Sequence, residues 1–232
     1  VARVQVVLVR PGTAANVGAV ARAIRNTGLD GMALVAAADW RSVECWRSAW
    51  GAHEVLEQAR SFGSLAEALA GSALAVGFSG KAGAAPARDV REVAAEVAGL
   101  QTDAMASLVF GPESAGLSHA ELALCGVRAV IPSHSAQPSL NLSHAVMVAG
   151  YEVFRARFTP GASGPRRATH DEKQRMLCLL RDGLQAIEAL PRANPEGYFE
   201  EWRALFQRAD LTPKELKLLE HMARKMAACR RP

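Results

Sequence analysis

The chain has 232 residues, half of them apolar and 22% charged, with a formal net charge of +4. That length holds one sizeable domain with an appendage, or two small ones, and the composition is that of a globular chain. No apolar run approaches the ~20 residues a bilayer-spanning helix needs. Four dispersed cysteines, with no C-x-x-C among them, argue against a zinc site or a disulfide framework.

In chain order, the run VQVVLV (5–9 region) predicts a first strand, and RPGTAA a loop. The stretch NVGAVARAIRNTG then predicts a helix over 16–27, with Asn16 as N-cap and Gly28 as stop. At helical spacing Val17, Val20, Ala23 and Ile24 share one side, and Gly18, Arg22 and Arg25 the other. Two readings of those arginines stand open at this point, a solvated face or an anion-binding, catalytic group. Further strands are expected at 32–36, 73–78, 107–111 and 128–132. Helical patterns lie near 42–58, 64–71, 88–100 and 118–125, and a longer one at 140–158. This alternation predicts an α/β domain with a largely parallel sheet covered on both faces.

Gly, Pro and Ser then crowd into 160–170, which reads as a linker between a domain over 1–159 and a helical extension over 171–232. The extension carries helical patterns at 171–190, 195–208 and 213–229, the last opened by Thr212, Pro213 and Glu215 as a capping box. It is expected to pack on the first domain or on a partner subunit. Residues 1–159 are charge-neutral, so the whole excess of +4 lies in 160–232, a mild bias towards a polyanion.

In open parallel sheets, ligands bind beyond the carboxyl ends of the strands. Four of the five anticipated strand ends lead into loops rich in Gly, Ser, Pro and Asn: RPGTAAN, GFSGKAG (77–83), GPESAGLS (111–118) and PSHSAQPSLNLS (132–143). No G-x-G-x-x-G, P-loop or G-x-S-x-G is present, which disfavours a dinucleotide site, an NTPase and an α/β-hydrolase. Capping a helix at 140 needs one of Ser139, Asn141 and Ser143, and the surplus points to a site.

Three motifs, NVGAVAR, LVFGPESAGLS and IPSHSAQPSLNLSHAV, occur in that order and each follows a strand. Together, over residues 4–158, they resemble the SpoU (TrmH-like) branch of the SPOUT RNA methyltransferases. The tail PEGYFEEWRALFQRADLTPKELKLLEHMARKM is similar, more loosely, to that of TrmJ-type tRNA 2′-O-methyltransferases. The resemblance implies a deep trefoil knot late in the α/β domain, S-adenosylmethionine (SAM) as methyl donor without a metal, and a homodimer with sites built from both chains. The implied product is a 2′-O-methylated tRNA anticodon loop at nucleotide 32, cytidine or uridine. Ribosomal RNA or another tRNA ribose is the alternative substrate, and a non-catalytic RNA-binding protein the alternative of another class. With no signal-peptide pattern ahead of the first strand, a cytoplasmic setting away from membranes is expected.

Carried over by motif, the catalytic set is Asn16, Arg22, Glu113, Ser139 and Asn141. The implied donor pocket comprises Phe78, Ser79, Gly80, Gly111, Ile131, Pro138, Ser139 and Leu140. Arg22 is also an RNA contact, with Arg166, Arg167, Lys214 and Lys217, and Arg224 and Lys225 beside them. One departure is visible: Pro112 and Ser114 flank Glu113 where TrmJ-type enzymes often carry arginines.

Overall fold

The computed structural model describes residues 1–80, 86–157 and 166–229. The first strand, β1 (Arg3–Val9), is buried along its whole length after Arg3, as a central strand of a doubly covered sheet must be. Its side chains divide by the two-residue period. Val4, Val6 and Leu8 enter one core, and Val7 and Val9 the other.

Around it lie β2 (Gly31–Val35), β3 (Arg60–Phe62), β4 (Leu74–Phe78), β5 (Arg88–Asp89), β6 (Met105–Phe110) and β7 (Gly126–Val130). Every pairing is parallel, in the order β3-β2-β1-β6-β4-β7-β5. The larger core lies under α1 (Ala14–Thr27), α2 (Val43–Ser48), α3 (His53–Glu57), α5 (Val90–Ala98) and α7 (Leu142–Arg157). The smaller lies under α4 (Leu65–Leu69) and α6 (His119–Cys125). This is the expected fold class, with four differences from the sequence reading.

The first difference is the start of α1. Thr13, not Asn16, is the N-cap: its side chain accepts from the Asn16 N–H, and Asn16 sits inside the first turn. Secondly, Gly18 is not on the polar face. It is buried, and a Cβ there would lie 2.1 Å from the Cys45 carbonyl oxygen, so the bare backbone lets α2 approach. Thirdly, the pattern at 42–58 breaks into α2 and α3 around Gly51, whose φ of 78° no helix accommodates. Fourthly, β3 and β5 were not anticipated; at three and two residues they are too short to show a period.

The helical extension consists of α8 (His170–Ala186), α9 (Pro195–Arg208) and α10 (Pro213–Ala228), with the expected capping box at Thr212 and Glu215. It has a core of its own around Met176, Leu177, Leu180, Phe199 and Leu216. It packs on the first domain at the amino edge of the sheet. There the His170 N–H donates to the Ser72 carbonyl (2.9 Å), and a Cβ on Gly126 would lie 2.2 Å from the Gln207 carbonyl oxygen. Residues 160–165 of the expected linker, and the boundary at 159/160, lie outside the described residues, as do 81–83 of the loop after β4.

Candidate active site

Because all strands are parallel, the loops after β1, β4, β6 and β7 leave the same edge of the sheet. Three of them enclose a cavity of about 350 Å³, lined from Phe78 to Gly80, from Phe110 to Gly116, and by Ile131 and 138–140 with the start of α7. Every residue assigned to the donor pocket lines it: Phe78, Ser79, Gly80, Gly111, Ile131, Pro138, Ser139 and Leu140.

The cavity lining combines aromatic and apolar side chains with polar loop residues. The Phe78 and Phe110 rings, both in the lining, stack with centroids 4.6 Å apart and planes 6° from parallel. Two glycines let backbone meet backbone at the rim. A Cβ on Gly80 would lie 3.2 Å from the Pro138 carbonyl oxygen, and one on Gly111 would lie 2.3 Å from the Gly116 backbone. Ser133 donates its hydroxyl to the Pro138 carbonyl (2.8 Å), closing the last loop on itself.

At the mouth, one network joins the three motifs. The Glu113 carboxylate accepts from the Gly12 N–H (2.7 Å) through one oxygen and from the Asn16 side-chain amide through the other. The Asn141 amide in turn donates to the Asn16 Oδ1 (3.1 Å), while its own oxygen accepts from the N–H and hydroxyl of Ser143. The displaced cap explains how Asn16 can do this. With Thr13 capping the helix, the Asn16 side chain is free to bridge an acid and an amide from loops about a hundred residues away.

Of the expected catalytic set, the structure therefore brings Asn16, Glu113 and Asn141 into contact and places Ser139 on the cavity wall. Arg22 does not line the cavity of its own chain; it is exposed on α1, with no ion pair among the described residues. Arg25 is a surface partner of Glu54 (2.7 Å), as a solvated face would have it.

The expected RNA-contacting residues divide. Lys214 and Lys217 are exposed on α10, and Arg166 pairs with Glu172 (3.2 Å). Arg167 is largely covered and pairs with Glu96 and with Asp210 (2.9 Å), which ties the extension to the domain. Arg224 is bonded to Glu220 (3.0 Å), and Lys225 is exposed.

Sequence reasoning missed Phe110 and the Gly12 N–H. The apolar residue directly before Gly111 was a usable signal for the first. A backbone donor carries no signal in residue type.

Comparison with known proteins fits this geometry. Residues 3–151 match the SpoU rRNA Methylase family. The tRNA (cytidine/uridine/adenosine-2′-O-)-methyltransferase TrmJ of Pseudomonas aeruginosa is 31% identical over 234 residues, covering 94% of this chain and 91% of that one. The crystal structure of TrmJ from Z. mobilis superposes with a TM-score of 0.82 at 28% identity, covering 97% of this chain and 99% of that one. The SpoU methyltransferase AviRb from Streptomyces viridochromogenes, solved with AdoMet, aligns with a TM-score of 0.55 at 25% identity over 68% of this chain and 62% of that one.

Proposed function

This chain belongs to the SpoU rRNA Methylase family, and from that premise we propose that it methylates a ribose 2′-hydroxyl of tRNA, at nucleotide 32 of the anticodon loop. The observation that carries the reading is the meeting of three strand-end motifs around one cavity, joined at its mouth through Asn16, Glu113 and Asn141. Full-length similarity to TrmJ, extension included, supports tRNA as substrate over ribosomal RNA.

The cavity suits SAM. An aromatic, apolar part of the lining accepts a purine, and exposed loop backbone around Gly80, Gly111 and 138–140 supplies donors and acceptors for the polar remainder. When bound, the donor supplies a sulfonium-activated methyl group, so the transfer needs no metal. The protein's task is to hold the hydroxyl oxygen in line and to stabilise it as its proton passes to solvent water, while the S–CH3 bond breaks and the O–CH3 bond forms.

Arg22 takes the second part. A guanidinium is a poor base, because its pKa lies far above neutrality, but it is a strong donor to phosphate and to a developing alkoxide. Arg22, exposed, outside its own cavity and without an ion pair among the described residues, is assigned in this reading to the cavity of a second copy, as the family resemblance implies for a homodimer. Ser139 faces the hydroxyl from the wall. Glu113 and Asn141 hold Asn16 and keep the loops in register.

The test is transfer of labelled methyl from SAM to total tRNA and to ribosomal RNA, followed by mapping of the modified ribose. Label at tRNA nucleotide 32 is expected. Label at another ribose keeps the chemistry and overturns the position, and label on ribosomal RNA alone overturns the substrate. Donor binding without any transfer leaves a non-catalytic RNA-binding protein.

A further inference from the structure

The turn that delivers Gly12 and Asn16 to Glu113 is strained. Arg10 has a φ of 46°, a left-handed conformation that side chains larger than glycine rarely adopt, and it directly precedes Pro11. Gly12 follows, and its N–H donates to the Glu113 Oε2 (2.7 Å), an oxygen that a Cβ at this position would approach to 2.9 Å. Arg10, Pro11 and Gly12 thus form the turn between β1 and α1.

A left-handed residue at a strand end is not in itself a sign of function here. Ala36 ends β2 with a φ of 47° and donates its N–H to the Phe62 carbonyl, much as Arg10 donates to the Val35 carbonyl (2.9 Å). What distinguishes Arg10 is its side chain. Its guanidinium donates to the Glu121 Oε1 at 2.5 Å, and the Glu121 side chain is 13% exposed. The other Glu121 oxygen accepts the Ser118 N–H (2.7 Å), closing the capping box of α6 at the end of the second motif loop. The first motif loop is therefore bound to the second at both ends of 111–121, at Glu113 through Gly12 and Asn16, and at Glu121 through Arg10.

We infer that Arg10 and Glu121 are positioning residues for the proposed methyl transfer: their ion pair holds the strained turn in the one conformation that lets Gly12 and Asn16 meet Glu113 at the cavity mouth. Neither side chain lines the cavity. Both act through Asn16 and Glu113. Burial alone would raise the Glu121 carboxyl, but the bonds from Arg10 and Ser118 outweigh it and hold the carboxyl below its ordinary value, so the pair is intact throughout neutral pH.

The inference rests on the methyltransferase reading, and the test separates the two. Arg10→Gly removes the side chain while relaxing the left-handed backbone, and Glu121→Gln keeps the capping box but discharges the pair. In the full-length protein each is expected to lower kcat about tenfold, as small misplacements of reacting groups do. The KM for SAM and the thermal midpoint should stay near wild type. The double variant should be no slower than the slower single one, because the two residues act as a unit. Hydrogen exchange of the Gly12 amide should speed up in each variant, a readout that needs no activity. Unchanged Gly12 exchange overturns the inference, even if wild type transfers no methyl. Normal kcat in both variants, or a loss of kcat that only tracks a fallen thermal midpoint, overturns it as well.

Discussion

The two edges of the sheet use polar groups in opposite ways. At the carboxyl edge, the site is built from exposed or half-exposed amides, hydroxyls and one carboxylate, held to each other and to backbone N–H groups. At the amino edge, where the extension docks, cations are covered and spent. Arg167 pairs with Glu96 and Asp210, and the Lys173 Nζ donates to the carbonyls of Gln207 (3.1 Å) and Ala209 (3.0 Å) at the end of α9. A reaction edge has to present groups to a substrate, whereas a docking edge gains by pairing the charges it covers. Substitutions at the first edge should therefore cost activity and little stability, and at the second the reverse.

The largest expected effect is at the reaction edge. Arg22→Ala should lower kcat on tRNA by about 10²- to 10³-fold, the size of losing one donor to a developing oxyanion. The thermal midpoint should be unchanged, because the side chain is exposed and makes no ion pair among the described residues. Single-turnover methylation with calorimetric SAM binding checks this, and near-normal turnover would remove Arg22 from the chemistry.

The docking edge gives the converse. At Gly126 both the φ of 73° and the Gln207 carbonyl at 2.2 Å forbid a side chain. Gly126→Ala should push α9 off β7 at a cost of about 1–3 kcal/mol, as overpacking does. Faster hydrogen exchange across α8–α10 with unaltered SAM affinity would confirm the separation. Equal loss of both would show that the edges are coupled.

The smallest effect is a pH dependence confined to the docking edge. Burial lowers the Lys173 pKa from 10.5 to about 8 and also lowers that of His170. For both, the unfolded chain takes up the proton more readily, so protonation opposes folding. The penalty at Lys173 is complete below pH 8 and is relieved as pH rises from about 8 towards 10.5. His170 adds to it on acidification below its ordinary value of 6.5. Thermal midpoints of wild type measured between pH 7 and 10 should rise relative to Lys173→Met, and parallel profiles would overturn the assignment.

Much of this molecule is legible along the chain. The apolar runs behind β1, β2, β4, β6 and β7 sit within two residues of where they were expected, because a buried strand must be continuously apolar. Thr212 and Gly28 ended or began helices as their residue types require, since capping is a local bond between neighbours. The motif glycines, Phe78 and Ile131 converge on one cavity because parallel strands all deliver their loops to one edge.

Other features were decided only in three dimensions. Asn16 looks like a cap and is a bridge, because Thr13 competed for the same bond and Glu113 lay within reach once β6 paired with β1. The pairing of Arg167 with Glu96 and Asp210 is not visible along the chain, because only packing of the extension sets those acids against it. The Arg10–Glu121 pair joins residues 111 positions apart. Caps and strand runs depend on neighbours a few residues away and are written in local order. Pairings such as these exist only after the sheet has closed the distance, and no period in the sequence encodes them.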